Sequence, residues 1–432
     1  MILHGTNGNS PKVSLAEGII NGLAPDGGLY MPDVLPRLPQ ALFRNIADMS
    51  LKEIAFVISN TLFGDNLDSA GIKKIVDETF IFNIPLRPIC HNRYVLELFH
   101  GPTLSFKDIG ARFMAHLLPA IHADGDANRD LILATSGDSG GAVANAFSKM
   151  WGTTVNILFP RGELTRSQVS QFATLRNVRA IEVDGTFDDC QNLVKDVLKA
   201  DSASGRNRLT SGNSINLARE LPSIIYFFHA YSRAVAIHGP QTKFVISIPC
   251  GNLGSFCAAL MAKKMGLPVE RYIAANNAND VFVEYLKTGG FKPQKALMTL
   301  ARAMDVGNPS NIARIIDLYS GDLNALRKDV EGYAYNDDEI AQTMKETKDL
   351  YDYFIDPQGA TALRAINRHL KPDEIGIALA SAHPAKFHDA IHAVTGCDIE
   401  IPSELASMIN RPMRIIKIPA TPGALHRVLS NR

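Results

Sequence analysis

The sequence predicts an α/β protein: an open, mainly parallel sheet covered by helices on both faces. Three observations carry that expectation. From Tyr94 onward, short stretches of strand composition alternate with segments of helical spacing. The strand-like stretches are brief and apolar, as in sheets covered on both sides. Two of them run straight into loops of glycine and small hydroxyl residues that open helices, the place where ligands of such sheets bind.

In chain order, residues 1 to about 90 hold helical patterns at Leu15–Leu23, Leu51–Leu62 and Ala70–Asp77, joined by connections such as Pro25-Asp26-Gly27-Gly28. This reads as a mostly helical N-terminal domain, 1–92, without chemistry of its own. Tyr94–Phe99 is rich in strand formers, Gly101-Pro102 stops it, and Ile109, Phe113 and Leu117 give Ile109–Leu118 helical spacing. A polar link, His122 to Asp130, leads to the strand Leu131–Ala134 and the helix Ala142–Met150. The strand Thr154–Phe159 precedes a helix that Thr165 and Gln168 open as a capping box. Val178–Val183 and the helix Phe187–Leu198 repeat the unit. Strands at Phe244–Ile248, Tyr272–Ala275 and Ile375–Leu379 continue it, the first followed by the helix Phe256–Met265. Between about 290 and 350 the rhythm breaks into helical patterns, Leu297–Met304, Ile312–Tyr319 and Glu339–Leu350, read as a helical insertion. A helix Phe387–Val394, a strand Met413–Ile418 and a short helix close the chain.

With 432 residues, 46% of them hydrophobic and 20% charged, the chain has the means for two or three cored domains. Lys+Arg 44 balance Asp+Glu 44, which disfavours nucleic acid and anionic membranes as partners and favours small-molecule chemistry. The cysteines Cys90, Cys190, Cys250, Cys257 and Cys397 are odd in number and scattered, against a disulfide framework or zinc ribbon and for a reducing compartment. Met1–Leu23 lacks the basic start and apolar run of a secretory signal and is poor in arginine, and no stretch reaches the ~18 apolar residues of a membrane span. The expectation is a cytoplasmic protein.

The segment Glu97–Asp108 brings one lysine, Lys107, out of an apolar strand and a Gly-Pro turn to the start of a helix. Phe106 beside it and helix N-terminal amides close to it would both depress the amine's pKa toward a nucleophilic free amine. The plainer alternative is a solvated loop lysine next to Asp108. After Leu131–Ala134 comes Thr135-Ser136-Gly137-Asp138-Ser139-Gly140-Gly141, whose amides and hydroxyls suit a carboxylate. After Phe244–Ile248 comes Pro249-Cys250-Gly251-Asn252-Leu253-Gly254-Ser255, whose glycines admit an anion close to the backbone, as a phosphate monoester requires. Either loop could instead be a tight turn needing positive φ. Together the three form the inventory of a pyridoxal phosphate enzyme: Lys107 joined to the cofactor, Gly251–Ser255 at its phosphate, Thr135–Gly140 at the substrate's carboxylate.

Ser105-Phe106-Lys107-Asp108, Thr135–Gly140, Gly251-Asn252-Leu253-Gly254 and Ala382-His383-Pro384-Ala385-Lys386-Phe387 resemble the threonine synthases of the fold-type II pyridoxal-phosphate enzymes, in their long bacterial and fungal form. The likeness runs nearly end to end and includes Asn213-Ser214-Ile215-Asn216 with Arg219 and Ala303-Met304-Asp305-Val306. Departures are small: Leu253 where Phe is usual, Ser139 where Thr is common, Cys250 and Ser255 where Ser and Asp are usual. The resemblance implies two open, mainly parallel sheets with a helical N-terminal domain and insertion. It implies a smaller α/β domain, 93–225, with Lys107 and the carboxylate loop, and a larger one, 226–432, with the phosphate loop.

It also implies conversion of O-phospho-L-homoserine and water to L-threonine and phosphate, with Lys107 shuttling protons at the α, β and γ carbons. Lys107, Phe106, Asp138, Gly251, Asn252, Leu253, Gly254 and Ser381 would bind the cofactor, Ser381 as a neutral hydroxyl at the pyridine nitrogen. Thr135, Ser136, Gly137 and Ser139 would take the substrate's carboxylate, and Asn216, Arg219, Lys386 and Arg161 its phosphate, with Arg112 a further candidate. His383 would brace the pocket. His388 and His392 are one helical turn apart but lack a third ligand nearby, so no metal is expected. The implied partner is a small-molecule substrate, and the assembly a monomer or weak homodimer. Two alternatives stay open: a catabolic phospho-lyase releasing 2-oxobutyrate, and a non-catalytic cofactor-binding protein.

Overall fold

Three sheets organise the residues that the computed structural model describes, namely 1–121, 130–150, 152–204, 208–409 and 411–430. Strands β1 (Ile2–Gly5), β2 (Val13–Ser14) and β3 (Tyr30–Pro32) form a small antiparallel sheet in the order β2-β1-β3. Next come β4 (Leu86–Cys90) and β5 (Arg93–Glu97), then β6 (Asp130–Ala134), β7 (Val155–Pro160), β8 (Val178–Asp184) and β9 (Leu209–Ser211). The remaining strands are β10 (Lys243–Pro249), β11 (Arg271–Asn276), β12 (Val330–Ala334), β13 (Glu374–Ala380) and β14 (Ile415–Pro419). The larger sheet runs β12-β11-β10-β13-β5-β4, parallel except where β4 meets β5. The smaller, β14-β8-β7-β6-β9, is parallel throughout. Two mainly parallel sheets with crossover helices are the expected architecture. Their strands interleave along the chain: β5 belongs to the larger sheet with β13, and β14 to the smaller with β8.

The N-terminal helices form where their patterns lie, at Leu15–Asn21, Leu51–Phe63 and Ser69–Thr79. Ser50 and Glu53 close a capping box at the second, and the Asp68 side chain caps the third. The region is less purely helical than expected, because it also holds the small sheet; strands of two to four residues are too short to show a period. The polar link expected from His122 lies outside the described residues up to Asp130.

The insertion corrects the sequence reading most. Ile312–Leu318 and Asp337–Tyr351 are helices, but Leu297–Met304 is not, apart from a single turn at Arg302–Met304. Side chains take over its backbone hydrogen bonds. Asn279 Oδ1 accepts from the Leu297 amide at 2.7 Å and Asn279 Nδ2 donates to its carbonyl at 2.9 Å, while Asp305 accepts from the Thr299 amide at 3.0 Å. The insertion also donates β12 to the edge of the larger sheet. A further unexpected element is the helix Ile224–His238, whose Phe227 and Phe228 are fully buried. It is apolar through most of its circumference, so no polar face marks it in the sequence.

The pairing of β5 with β13 positions the chemistry. It continues past both strand ends: Phe106 N donates to Ser381 O at 2.9 Å, His383 N donates to Leu104 O at 3.0 Å, and Ser105 bridges Ala382. The turn that carries Lys107 is thereby stitched to the segment that carries Ser381.

Candidate active site

Lys107 is the first residue of the helix Lys107–Ile121. Leu104, just before it, is held at φ 57°, a left-handed conformation that costs a non-glycine residue about 1 kcal/mol or more and persists only where the surroundings impose it. Asp108 does not neutralise the amine. Its carboxylate turns back to accept from the Thr103 amide at 2.9 Å and hydroxyl at 2.7 Å, packed so tightly on Gly101 that a Cβ there would lie 2.5 Å from it. Among the described residues no hydrogen bond or ion pair reaches Lys107 Nζ, and the Phe106 ring lies 5.7 Å away. Burial lowers the amine's pKa, Asp138 opposes this, and Arg219 and Lys386 add to it. The solvated-lysine alternative is thus not what the structure holds.

Around the amine lies a cleft with about 1240 Å³ of free space, part of it open to solvent. Of the residues expected at the site, Phe106, Lys107, Ser136, Asp138, Ser139, Arg219, Gly251, Asn252, Leu253, Gly254 and Ser381 line it. The loop expected to receive a carboxylate ends β6 and opens the helix Asp138–Phe147. Thr135 and Gly137, expected to touch substrate, instead build this loop. The Thr135 hydroxyl accepts from the Gly137 and Gly140 amides at 3.0 and 2.9 Å and donates to the Gly137 carbonyl. Gly137 has φ 145°, and a Cβ there would meet Gln168 Nε2 at 2.5 Å.

The second loop ends β10 and opens the helix Gly254–Lys264, with Leu253 at φ 59°. Cβ atoms at Gly251 and Gly254 would lie 2.9 Å from Met304 Cα and 2.7 Å from Glu220 Oε2, so this backbone admits no side chain. Asn252 fastens the loop to the insertion: its Oδ1 accepts from the Ser310 amide at 2.6 Å and its carbonyl from Asn311 Nδ2 at 2.9 Å.

The four candidates for the substrate's phosphate separate clearly. Arg219 is buried in the cleft wall with no hydrogen-bond partner for Nε or Nη1 among the described residues, and burial brings its pKa down to about 10. Lys386 is paired with Asp138 and donates to Thr103 O at 3.0 Å. Burial works against ionisation of Asp138, yet Lys386 and Lys107 outweigh it and hold that carboxyl below the usual range. Asn216 is a correction: its Nδ2 donates to Ile19 O at 2.9 Å and Thr210 Oγ1 at 3.2 Å, and its Oδ1 caps the helix Leu217–Glu220. Arg161 is a second correction: its side chain is 59% exposed and its nearest acid is Asp184, at 3.4 Å, away from the cleft. Arg112 is likewise engaged elsewhere, donating to Thr79 O and Glu78 O at the end of a neighbouring helix. His383 Nδ1 accepts from the Ala385 amide at 3.1 Å and its ring meets Phe99 edge-on at 5.3 Å, which braces the turn holding Lys386. His392 points to Asp398 at 2.9 Å, with His388 Nε2 at 3.6 Å from the same oxygen.

Some cleft residues were absent from the sequence reading. Glu220 and Gln358 line it, both almost fully buried, with Glu220 Oε1 and both polar atoms of the Gln358 amide unpartnered among the described residues. Asp356 stands behind Ser381, whose hydroxyl donates to Asp356 Oδ1 at 3.4 Å; burial pushes this acid up to about 7. A sequence signal exists for Asp356 alone, because Asp356-Pro357 is a helix-start pair; Glu220, beside Arg219, and Gln358 carry none.

Patterns of known families match along the whole chain. "Threonine synthase N terminus" matches residues 4–80, "Pyridoxal-phosphate dependent enzyme" residues 87–380, and "Threonine synthase, C-terminal" residues 359–429. The threonine synthase of Escherichia coli is 37% identical over 433 residues, covering 100% of both chains. The chain belongs to the threonine synthase family. The Serratia marcescens threonine synthase is 36% identical over 99% of both chains. The crystal structure of the Escherichia coli threonine synthase superposes with a TM-score of 0.93 over 100% of each chain. That of the pyridoxal-phosphate-bound Brucella melitensis threonine synthase gives 0.90 at 30% identity, over 99% of this chain and 98% of that one.

Pyridoxal phosphate is the cofactor of this family, and the residues present fit it. The cleft holds an amine unpartnered among the described residues that could take its aldehyde, a side-chain-free cradle at a helix start that could take its phosphate, and the Ser381 hydroxyl that could face its ring nitrogen.

Proposed function

We propose that this chain is an enzyme converting O-phospho-L-homoserine and water to L-threonine and phosphate, with pyridoxal phosphate as cofactor. The observation that carries the reading is the unpartnered amine of Lys107 in one cleft with two anion-receiving loops, in a chain that threonine synthases match from end to end. When bound, pyridoxal phosphate supplies the electron sink for carbanions at the substrate's carbons. The roles below are read from this chain's own residues.

Lys107, whose pKa burial lowers, is the base that removes the proton at Cα and serves Cβ and Cγ in turn. Ser136, Ser139 and the Asp138 and Ser139 amides that open the helix Asp138–Phe147 receive the substrate's carboxylate, since a helix's first amides have no acceptor inside it. Arg219, with two unpartnered nitrogens, receives the departing phosphate. Lys386 is a positioning residue that keeps Asp138 ionised and its loop in place. Ser381 would hold the cofactor's ring nitrogen through its hydroxyl oxygen, the hydroxyl proton being given to Asp356. Phe106 and Leu253 wall the cleft.

No helix among the described residues is long and apolar enough to cross a membrane, and all five cysteines are free thiols, which supports the reading of a cytoplasmic enzyme acting on a small molecule. The test is product analysis of the cofactor-loaded protein with O-phospho-L-homoserine. L-threonine and phosphate in equal amounts are expected; 2-oxobutyrate and ammonia as the main products would replace this reading by the phospho-lyase.

A further inference from the structure

We infer that Glu220 is part of the phosphate site at the start of the helix Gly254–Lys264, carrying a proton that it donates as a hydrogen bond to a phosphate monoester held there. The inference rests on the reading above, which assigns that helix start to the cofactor's phosphate. Glu220 ends the short helix Leu217–Glu220, is 3% exposed and lines the cleft. Its carboxyl packs against Gly254, the first residue of the longer helix: a Cβ at Gly254 would lie 2.7 Å from Oε2 and 3.3 Å from Oε1. Oε1 has no hydrogen-bond partner among the described residues.

The charged and titratable groups around it do not supply one. Arg219, on the same helix, leaves its Nε and Nη1 unpartnered. Arg314, from the insertion, gives its guanidinium to the carbonyls of Tyr30 at 3.2 Å, Ser214 at 2.6 Å and Ile215 at 2.5 Å, and to Asn311 Oδ1 at 2.8 Å. Tyr226, from the following helix, is hydrogen-bonded to Ser255 Oγ at 2.5 Å, and Cys257 faces from the Gly254 helix; burial raises both pKa values, so both groups are neutral. Burial dominates at Glu220 too and pushes its carboxyl up to about 7, against the pull of Arg314 and Arg219.

A protonated carboxyl here is a donor without an acceptor, set against backbone that favours an anion. An ionised one would stand beside the phosphate as a like charge. Binding of the phosphate therefore favours the protonated form, so the site takes up a proton from solvent wherever free Glu220 is ionised, that is, above about pH 7.

The experiment is calorimetric titration of the apoprotein with pyridoxal phosphate in two buffers of different ionisation enthalpy, comparing wild type with Glu220→Gln. Lys107 and the cofactor's own phosphate titrate alike in both, so the difference isolates Glu220. Wild type is expected to take up about one proton more than the variant at pH 8 to 8.5. Its affinity should fall relative to the variant by about tenfold per pH unit above neutrality, until the bound form also ionises. Equal uptake and parallel pH profiles overturn the inference. Pyridoxal, lacking the phosphate, is expected to erase the difference, and a difference that persists with it also overturns the inference. If instead pyridoxal binds wild type as tightly as pyridoxal phosphate does, the phosphate-loop reading itself is at fault. O-phospho-L-homoserine added to the loaded enzyme separates the two phosphates: Glu220-dependent uptake at that step alone overturns the assignment to the cofactor. Should Glu220→Gln fail to fold, the phosphorus-31 shift of cofactor bound to wild type decides. A titration step above pH 7 is expected, and a flat profile from pH 7 to 9 contradicts the inference.

Discussion

Lys107 and Lys386 both bring their amines into the neighbourhood of Asp138, from distant parts of the chain. Lys386 is paired with that carboxylate and donates to the Thr103 carbonyl, so its amine has two fixed partners. Lys107 lines the cleft, where nothing among the described residues accepts from its amine, and burial lowers its pKa. Burial alone therefore does not distinguish a structural cation from a nucleophile; the presence or absence of a fixed acceptor does. The acids show the same division. Asp138, flanked by lysines, is held below the usual carboxylate range, whereas Asp356, fully buried with no cation paired to it among the described residues, is pushed up to about 7.

The strongest way to break the comparison is to exchange the roles. Lys107→Ala is expected to lower threonine formation by about 10³-fold or more, because Lys386, the other amine beside Asp138, is already paired. Substantial residual turnover in that variant would show that Lys386 can serve. Lys386→Met takes from the buried Asp138 its ion-pair partner and leaves only the more loosely placed Lys107 beside it, and should cost about 3–5 kcal/mol of stability, read by urea unfolding of the apoprotein.

The acids sharpen it further. Asp356 binds a proton more tightly when folded than its ordinary value of 3.8 allows, so the folded state carries more protons between about pH 4 and 7, and stability falls as pH rises through that window. Asp356→Asn keeps a helix cap and should remove that loss, gaining about 2–4 kcal/mol over wild type at pH 7.5 relative to pH 4.5 in urea unfolding.

Among the arginines the contrast is smaller. Arg219→Gln should raise KM for O-phospho-L-homoserine about 10- to 100-fold through loss of a charge-assisted contact. Arg161→Gln should change KM less than about twofold and stability by less than about 0.5 kcal/mol, as expected of an exposed pair.

What the sequence revealed and what it concealed follow from the range of the interactions. Phe244–Ile248 and Ile375–Leu379 were legible as strands because burial on both faces makes them continuously apolar, and the observed β10 and β13 extend each by a residue or so. The loops after β6 and β10 were legible because glycine placement is local. The helix Ile224–His238 was not, for want of a polar face, nor was the unwound stretch from Leu297, whose amides are claimed by Asn279 and Asp305. Asn216 carries the right chemistry for a ligand donor, but its amide is consumed by Ile19, a partner 197 positions away that no motif reveals. Arg161 sits just past the end of β7, where the chain turns outward through Gly162 at φ 74°, a direction that residue type does not encode. Glu220 was passed over because its meaning depends on Gly254, brought against it only by the fold.

The central claim is that one lysine, freed by the lack of an acceptor, carries the cofactor. Borohydride reduction of the protein loaded with pyridoxal phosphate, followed by peptide mass mapping, tests it directly. The account predicts a single reduced pyridoxyl adduct on Lys107; an adduct on Lys386, or on a lysine outside the cleft with Lys107 unmodified, would contradict it.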